Sequence, residues 1–430
     1  MAEKQSILHK LHAFSSQHPA IPFLTPSTPT FEEVRTIYAH REITPLAIIR
    51  PTSIDDVSTA ISFLFTNKIP FTVRSGGHDM HGRSMRNDAV ALDMRLLNHG
   101  KMVSTTTVSG GILTGDLISA LQAEGFATPV PSLPAVGYVG WAMYGGYGAY
   151  SARFGLGVDQ IIGAKLVHLL KGIRGAEGAF GVIVELTVRI YRVDRILAGM
   201  IMFKSDNLSK VIPEYNQGYR TLAAEGLPLQ LSVQQGILNA PTPTFTVLFL
   251  EKIKSLGPFM ASTVQETIPL GALEGAAQHF AKSTQGRMWT ISLRSITDQV
   301  ADVIADYTSR MPSDPHILFD MHELRACSPS ARPNNTESVF SAREPHFAVE
   351  INTIVQDGEK LEEALAWGRE FRDALRKTSV DNIFPVQYLS FMRKEEVDHG
   401  KVFGAHVLFL RDLKKRVDPD NVFKAAISYL

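Results

Sequence analysis

The pentapeptide Arg74-Ser75-Gly76-Gly77-His78 follows the apolar, strand-like run Ile69-Pro-Phe-Thr-Val73. Two adjacent glycines allow the backbone to turn sharply with its N–H groups exposed, and such groups can bind a diphosphate. The histidine at the end of the turn is then held beside the bound group. This stretch therefore predicts a strand followed by a loop that binds a nucleotide cofactor with a reactive ring.

The residues around this loop alternate between short strands and helices. Thr44–Pro51 and Ala89–Asp93 have the pattern of strands, and Ser53 provides a side-chain cap for a helix that precedes the loop. Leu113–Gly125 has the pattern of a short amphipathic helix that ends at a glycine. The first part of the chain is therefore predicted to be an α+β domain that binds a nucleotide.

Two further stretches are rich in glycine. Val136–Tyr150 contains five glycines among aromatic and apolar residues, which fits neither a plain helix nor a plain strand. Arg174–Glu185 is the other, and it runs directly into a strand. One glycine cluster fits a tight turn equally well, but three within about 110 residues favour one extended cofactor. The sequence contains no Gly-Lys-Ser/Thr phosphate loop and no Gly-x-Gly-x-x-Gly between a first strand and its helix.

Composition and charge restrict the class of partner. The chain has 430 residues, of which 44% are hydrophobic and 20% charged, so it is long enough for two domains. Its 43 Lys and Arg balance its 43 Asp and Glu, so no global field would attract nucleic acid or an anionic membrane. We expect a small-molecule substrate, no nucleic-acid or membrane partner, and a monomer or a dimer.

Cysteine content and the absence of targeting patterns bear on location. We find no secretory signal and no apolar run of membrane-spanning length, and Cys327 is the single cysteine of the sequence. One cysteine excludes an intramolecular disulfide, in agreement with a reducing compartment. We expect an intracellular, cytoplasmic protein. His78 and His81 are spaced like metal ligands, but no carboxylate or cysteine cluster completes a site, so we expect no metal.

Several motifs occur together in the order of a known family, and the pentapeptide ending at His78 is the strongest of them. The set resembles the FAD-linked oxidases of the vanillyl-alcohol oxidase and berberine-bridge-enzyme-like family across almost the whole chain. The matching motifs are Arg74–His78, Gly82–Ser84, Pro134–Gly137, Gly145–Gly148, Gly155–Asp159, Arg174–Val182 and Asp418–Phe423.

The resemblance implies an α+β fold: a two-lobed FAD-binding domain of the PCMH type with an inserted substrate domain built on an antiparallel sheet covered by helices. We expect residues 1–195 to form the N-terminal part of the FAD domain, residues 196–380 the substrate domain, and residues 381–430 a segment returning to the FAD domain. Glycine-rich signals disappear after residue 195. They are replaced by strand and helix patterns at Leu229–Gln235, Phe245–Leu250, His346–Ile351 and Gly358–Thr378.

His78 matches the family histidine that is bonded through a ring nitrogen to the 8α-methyl carbon of the flavin, so the resemblance implies covalent FAD. Without it, a glycine-flanked histidine that only hydrogen-bonds within its loop is the default interpretation. The cysteine that forms a second attachment in some members falls near Leu133, which cannot form it. Trp141 replaces a histidine of many relatives, which predicts a narrower, more apolar pocket. The implied FAD contacts are Arg74, Ser75, Gly76, Gly77, His78, Asp79, Ser84, Pro134, Val136, Gly137, Gly140, Gly145, Gly146, Gly148, Asp159, Gly181, Val182 and Tyr388.

The catalytic candidates must position a substrate carbon and remove a proton, since the flavin supplies the redox chemistry. Tyr388 lies where relatives have an active-site tyrosine, although it could equally pack at a domain interface. Strand alternation places His346 and Glu350 on one face, directed to the substrate or to solvent. Tyr144 lies in the glycine-rich stretch near the flavin. Neutral hydrogen-bonding groups are offered by Gln230, Ser232 and Gln234.

We therefore expect an FAD-dependent oxidase that removes a hydride from a C–O or C–N bond of a small natural product or sugar-like molecule and passes electrons to O2. The alternative is a flavoprotein isomerase or cyclase of secondary metabolism with little net redox turnover. A non-catalytic binding module is a third hypothesis, against which the intact glycine loops argue. A Ser-His-Asp hydrolase is not supported, because no Gly-x-Ser-x-Gly turn follows a strand.

Overall fold

A computed structural model describes residues 2–39, 42–79, 81–98, 100–102, 105–167, 177–204, 207–226, 234–238, 244–247, 255–277, 284–332 and 338–424. Within these ranges, no helix has both the length and the apolar character needed to cross a bilayer. Some features of the sequence lie outside the described residues. They are the links at 168–174 and 248–252, which look shorter than those of the family that the chain resembles, the start of the strand at 229–233 with Gln230 and Ser232, and Arg174.

The described α-helices are distributed along the whole chain. In chain order they are α1 (Ala2–Gln17), α2 (Phe31–Arg35), α3 (Ile54–Thr66), α4 (Thr114–Ala123), α5 (Tyr138–Met143), α6 (Ser151–Phe154), α7 (Gly157–Gln160), α8 (Leu208–Gly226), α9 (Pro269–Ala277), α10 (Asp298–Ser309), α11 (Leu361–Arg376), α12 (His399–Phe403) and α13 (Val407–Val417). Short 3-10 turns cover Met94–Leu96, Glu177–Phe180, Gly358–Lys360, Val380–Asn382, Leu389–Phe391, Lys394–Glu396 and Gly404–His406.

A first sheet holds the glycine loop. Its order is β1-β2-β4-β3, with β2 and β3 both parallel to β4, and its strands are β1 (Phe23–Leu24), β2 (Ala47–Ile49), β3 (Phe71–Arg74) and β4 (Val90–Asp93). Helix α3 begins at the predicted cap, where the Ser53 side chain accepts from Asp56 N–H and the Asp56 carboxylate accepts from Ser53 N–H. The loop follows β3 directly, at the carboxyl end of a parallel strand.

A second, antiparallel sheet follows in the sequence. Its order is β5-β6-β9-β8, and its strands are β5 (Gly100–Met102), β6 (Thr105–Ser109), β8 (Ile161–Val167) and β9 (Val182–Arg189), while β7 (Phe126–Ala127) pairs with β10 (Tyr191–Arg192). The apolar residues of β6, β8 and β9 pack with α4 and α5 in one core. The start of β9 also packs against the first sheet, since Val182 and Val184 belong to its core.

A seven-stranded antiparallel sheet forms the next part. Its order is β15-β12-β14-β13-β18-β19-β17, and the described strands are β11 (Ile196–Ala198, paired with β16), β12 (Ile201–Phe203), β13 (Gln234–Leu238), β14 (Thr244–Val247), β15 (Phe259–Ser262), β16 (Gln265–Thr267), β17 (Met288–Leu293), β18 (Leu318–Leu324) and β19 (His346–Asn352). Phe319, Met321, Val349 and Ile351 pack with α8, α10 and α11. The predicted antiparallel sheet covered by helices is therefore confirmed, and the residues that alternate with these four point to the opposite face.

The C-terminal segment contacts the N-terminal part of the chain. Phe423 lies in the core of the first sheet, 5.9 Å from the Phe71 ring between ring centroids. The Lys414 ammonium on α13 donates to Asp418 (2.6 Å) and to the Ala179 carbonyl (2.5 Å). These contacts are those of a segment that returns to the first part, whereas the domain boundaries at residues 195 and 380 stay a prediction.

One local expectation was wrong. The stretch Val136–Tyr150 contains a regular helix, α5, which begins after Gly137 and ends at Met143. Gly137 precedes this helix and Gly140 interrupts it, and these glycines obscure its pattern in the sequence. The helix is stabilised because Tyr138, Val139 and Ala142 pack in the core between the second sheet and α4. The glycines that follow, from Gly145 to Gly148, lie outside helix and strand, as expected.

Candidate functional site

A cavity of ≈ 350 Å³ is lined both by the glycine loop and by the face of the seven-stranded sheet that lies opposite its helices. The first group of lining residues follows β3 and flanks α5, and the second group lies on β13, β18 and β19 and in the segment after residue 387. Among the residues implied as FAD contacts, those in the lining are Ser75, Gly76, Gly77, His78, Asp79, Ser84, Val136, Gly137, Gly140, Gly181, Val182 and Tyr388. The cavity also contains Leu133 and Trp141.

The glycine loop packs against the turn that precedes α5. A Cβ on Gly76 would lie 2.2 Å from Gly137 N, and a Cβ on Gly137 would lie 2.3 Å from Ser75 Oγ, so both positions require glycine. Gly77 has a φ of +75°, which also favours glycine. In the part of the chain that the structure describes, the buried hydroxyls of Ser75 and Ser84 have no hydrogen-bond partner. Two unpaired hydroxyls in a cavity wall fit a polar ligand such as a diphosphate or a polyol chain.

His78 is partly buried beside an aromatic ring. The Tyr38 ring stacks on the imidazole, with centroids 4.7 Å apart and planes inclined by 18°. Tyr38 is fixed to the loop because its N–H donates to the Gly77 carbonyl (2.9 Å). Burial and, to a lesser degree, the positive charge of Arg74 lower the pKa of His78 to about 4. The imidazole is therefore neutral at physiological pH and has a free electron pair on one ring nitrogen.

Arg74 and Asp79 organise the loop from within. The buried Arg74 guanidinium donates to the carbonyls of Val34 and Thr36, so it holds α2 against the loop and does not line the cavity. The Asp79 carboxylate accepts from the N–H groups of Arg83 and Ser84 and forms the turn after His78. Asp79 also lines the cavity, so it has a structural role and is exposed to a bound ligand.

Other implied FAD contacts lie outside the cavity lining. Asp159 accepts from Leu156 N–H (3.0 Å) and pairs with Arg343 (2.7 Å), and therefore connects α7 to the segment before β19. The glycines after α5 permit close packing on protein atoms, since added Cβ atoms would lie 2.1–2.9 Å from their neighbours. The residues concerned are Pro134, Gly145, Gly146, Gly148 and Asp159, and their role as FAD contacts stays a prediction.

Three ionisable side chains converge on the sheet side of the cavity. Asp320 and His322 lie on β18 and Glu350 lies directly opposite Asp320 on β19. Their ligand atoms lie within 4.8 Å of one another, with 3.5 Å between His322 Nε2 and Glu350 Oε1. Gln234 on β13 donates to Asp320 (2.8 Å). The sequence predicted Glu350 and Gln234 but not Asp320 and His322. Alternation of residues 318–324 places Asp320 and His322 on one face of a strand but does not show that they meet Glu350.

Burial determines the protonation of this cluster. It raises the pKa of Asp320 to about 7 and, together with the Asp320 charge, raises the pKa of Glu350 well above its ordinary value. Burial lowers the pKa of His322 to about 4, so this imidazole is neutral. At neutral pH the two carboxyls therefore share at least one proton, because two desolvated carboxylates at this distance repel each other.

The remaining catalytic candidates differ in their positions. Tyr388 and Tyr144 line the cavity, and burial raises the pKa of Tyr388 above its ordinary value despite lowering interactions with Ser390 and with the backbone of Gly146 and Tyr147. His346 shares a strand face with Glu350, as predicted, but does not line the cavity. Its Nε2 lies 2.7 Å from the hydroxyl of Tyr147, a residue that does line the cavity. His346 thus contacts the site through Tyr147.

Comparison with known proteins agrees with this geometry. A family model described as an FAD binding domain matches residues 45–172. The FAD-linked oxidoreductase aurO of Gibberella zeae is 30% identical over 454 residues, covering 97% of this chain and 88% of that protein. In solved structures, 6-hydroxy-D-nicotine oxidase of Arthrobacter nicotinovorans has a TM-score of 0.80 at 21% identity, covering 95% of this chain and 98% of that chain.

A third similar protein is glucooligosaccharide oxidase of Acremonium strictum, which contains a 6-S-cysteinyl, 8α-N1-histidyl FAD. Its TM-score is 0.78 at 17% identity, and 96% of this chain and 97% of that chain are covered. The fold and the cavity therefore define an FAD-dependent oxidoreductase. Within that class, the chain belongs to the family of FAD-linked oxidoreductases that includes the vanillyl-alcohol oxidase and berberine-bridge-enzyme-like proteins.

Proposed function

We propose that this enzyme is an oxidase that removes a hydride from a carbon bearing oxygen or nitrogen in a small molecule and passes the electrons to O2. One observation carries the proposal: the same cavity is lined by the glycine loop ending at His78 and by the carboxyl pair Asp320 and Glu350. A cofactor loop and a proton acceptor that line one cavity can both contact a substrate bound in it. The oxidases of a nicotine derivative and of an oligosaccharide among the similar structures support both C–N and C–O substrates.

The cavity residues fit FAD. The unpaired hydroxyls of Ser75 and Ser84 and the close packing of Gly76 on Gly137 form the polar end of the site, and His78 would provide the covalent attachment. When bound, FAD would accept one hydride, which carries two electrons, from the substrate carbon. Leu133 lines the cavity where a second attachment would need a cysteine, so we propose a single covalent bond.

The carboxyl pair is the proton acceptor in this proposal. Because the pKa of Asp320 is about 7, the pair can take a proton from a substrate hydroxyl or amine near neutral pH. Tyr388 is a weaker candidate as a base, since burial keeps its hydroxyl protonated. Its place in the cavity wall makes it a hydrogen-bonding group for the substrate. The neutral His322 contacts Glu350 and orients that carboxyl.

Anaerobic reduction tests the function. The purified enzyme is mixed without oxygen with a panel of alcohols, sugars and amines while the absorbance of oxidised flavin is followed. We expect at least one compound to bleach the flavin, and readmitted air to restore the spectrum with formation of hydrogen peroxide. Product formed without bleaching would instead support the isomerase or cyclase, and bleaching that air does not reverse would contradict the use of O2.

A further inference from the structure

The charged groups around the cavity are distributed unequally. Among the described lining residues, the permanent cation is Arg83, and the carboxyls are Asp79, Asp320 and Glu350. Arg83 and Asp79 belong to the loop side, whereas Asp320 and Glu350 belong to the seven-stranded sheet. Arg83 could neutralise Asp320 and Glu350 only if its guanidinium contacted them. The charge on the sheet side of the cavity therefore depends on the contacts of Arg83.

Arg83 is bound to other parts of the protein. Its guanidinium donates to the carbonyls of Leu389 (3.0 Å) and Met392, and it pairs with Asp79 at 3.6 Å. These contacts connect the loop to the segment after Tyr388. The described polar neighbours of Asp320 and Glu350 include the neutral imidazole of His322, the amide of Gln234 and the protonated hydroxyl of Tyr388, none of which is a cation. A buried carboxyl pair without a protein cation is favourable only when protonated or when a ligand supplies the positive charge.

We propose that the substrate is an amine, bound as its ammonium ion with the nitrogen against Asp320 and Glu350. The inference rests on the proposed function and specifies its substrate class. An ammonium group offers several N–H donors, and Asp320, Glu350 and His322 offer acceptor atoms within 4.8 Å of one another. A carboxylate or phosphate substrate would instead face two carboxyls and no available cation, so this wall selects against anions.

The other residues that line the cavity indicate what kind of group carries the amine. Apolar and aromatic side chains line the same cavity as the carboxyl cluster, namely Tyr38, Met288, Leu318, Tyr388 and Phe391. Such a surface binds an aromatic or otherwise apolar group and can stack on a ring. A polyhydroxylated sugar would leave most of its hydroxyls against carbon. The expected substrate therefore has an amine on a carbon attached to an apolar body.

The chemistry balances with FAD as the oxidant. The bound ammonium first gives one proton to the ionised carboxylate of the pair and becomes a neutral amine. The C–H bond next to nitrogen then breaks, its hydrogen and electron pair pass to oxidised FAD, and a C=N bond forms as the nitrogen lone pair is shared. The product is an iminium ion, which water hydrolyses to a carbonyl compound and ammonium. The raised pKa of Asp320 means that its carboxylate, when ionised, binds a proton more strongly than an exposed carboxylate does, which suits it to this step.

Matched ligands test the inference. The flavin-containing enzyme is titrated anaerobically at neutral pH with benzylamine, benzyl alcohol and benzoate, and with the corresponding naphthylmethyl series, while the flavin difference spectrum reports binding. We expect each amine to bind about tenfold or more tightly than its alcohol, and the carboxylates to bind most weakly. The double variant Asp320→Asn, Glu350→Gln should lose the preference for amines. Asp88→Asn, which removes an exposed carboxylate outside the cavity lining, should keep it.

The result separates this inference from the proposed function. Equal or tighter binding of the carboxylates, retention of the amine preference by the double variant, or failure of every amine to bind would overturn it. Bleaching of the flavin by alcohols but not by amines would also overturn it while supporting the oxidase. An amine preference without bleaching by any compound would support the amine site and contradict the oxidase.

Discussion

The imidazole of His78 is both held in position by a stacked aromatic ring and kept neutral by burial. Tyr38 covers one face of the ring, and the pKa of about 4 keeps the ring neutral. A neutral imidazole can form a bond to carbon because one ring nitrogen carries a free electron pair. Since the ring is already held in one orientation, it loses no rotamer entropy when it reacts. The stacked tyrosine is therefore a positioning residue for the proposed FAD attachment.

Substitution of Tyr38 tests this role. We expect Tyr38→Phe, which keeps the ring, to retain covalent FAD, and Tyr38→Leu to slow its attachment about tenfold or more. His78→Ala should abolish attachment. Intact mass and the colour of acid-precipitated protein measure the covalent fraction after apoprotein is mixed with FAD. Attachment at an unchanged rate in Tyr38→Leu would exclude the positioning role, and flavin that washes out of the wild type would exclude the covalent bond itself.

Asp320 should make stability depend on pH. Its pKa is about 7 in the folded protein against an ordinary value of 3.8. Between these values the unfolded chain loses this proton while the folded chain keeps it, so a rise in pH favours unfolding. The stabilisation is complete below the unfolded pKa and is lost as the pH rises to about 7. Glu350 acts in the same direction, and His322 is neutral above its pKa of about 4.

Asp320→Asn removes this titration. Relative to the wild type, the variant should gain stability as the pH rises from about 4 to about 7, by up to about 4 kcal/mol, with little further gain above that. Urea denaturation across this pH range measures the difference. The exposed Asp88→Asn should show a small and nearly constant difference. A relative gain that shrinks as the pH rises would show that Asp320 is ionised in the folded protein.

Individual residues also show what the sequence could predict. Glu350 and Gln234 were found from alternation within single strands, and both line the cavity. Asp320 was missed because its importance arises from pairing: only the β18–β19 register places it opposite Glu350. That register is set by long-range packing of Phe319 and Ile351 with the helices, which no local pattern specifies.

At the scale of elements, glycine serves two different purposes around α5. A Cβ on Gly76 or Gly137 would collide with the backbone or side chain of the facing loop, whereas a Cβ on Gly140 would meet no atom within 4 Å. Gly140 nevertheless lines the cavity. The helix thus presents a bare surface where the cofactor is expected. Sequence patterns located these glycines but could not separate close packing from ligand space, because both require a missing side chain.

Two alanine substitutions separate these purposes. Gly140→Ala should leave the fold intact, because alanine favours the helix by about 1 kcal/mol, but it should reduce the FAD content of the purified protein. Gly76→Ala should lower both stability and FAD content, since its Cβ would lie 2.2 Å from Gly137 N. Thermal unfolding followed by circular dichroism and the ratio of flavin to protein absorbance measure the two effects. Full FAD content in Gly140→Ala would contradict close contact between α5 and the cofactor.

At the scale of the whole molecule, distant parts of the chain complete one site. The N-terminal half supplies the glycine loop, the seven-stranded sheet supplies the carboxyl pair, and the C-terminal segment supplies Phe423, and all of them line one cavity. The motif Asp418–Phe423 predicted the return of the chain. The contacts that hold it, such as the Lys414 ammonium on the Ala179 carbonyl, depend on three-dimensional placement and could not be predicted.

Phe423 should therefore affect both stability and cofactor retention. It is 7% exposed, packs on Phe71 in the core of the first sheet and lines the cavity. We expect Phe423→Ala to lower the free energy of unfolding by about 3 kcal/mol through the space it leaves, and to reduce the FAD content. Phe409→Ala, which changes a phenylalanine that is 47% exposed on α13, should alter stability by less than about 0.5 kcal/mol. Urea denaturation and flavin absorbance measure both variants. Equal effects of the two substitutions on stability and FAD content would show that the returning segment is not anchored through Phe423.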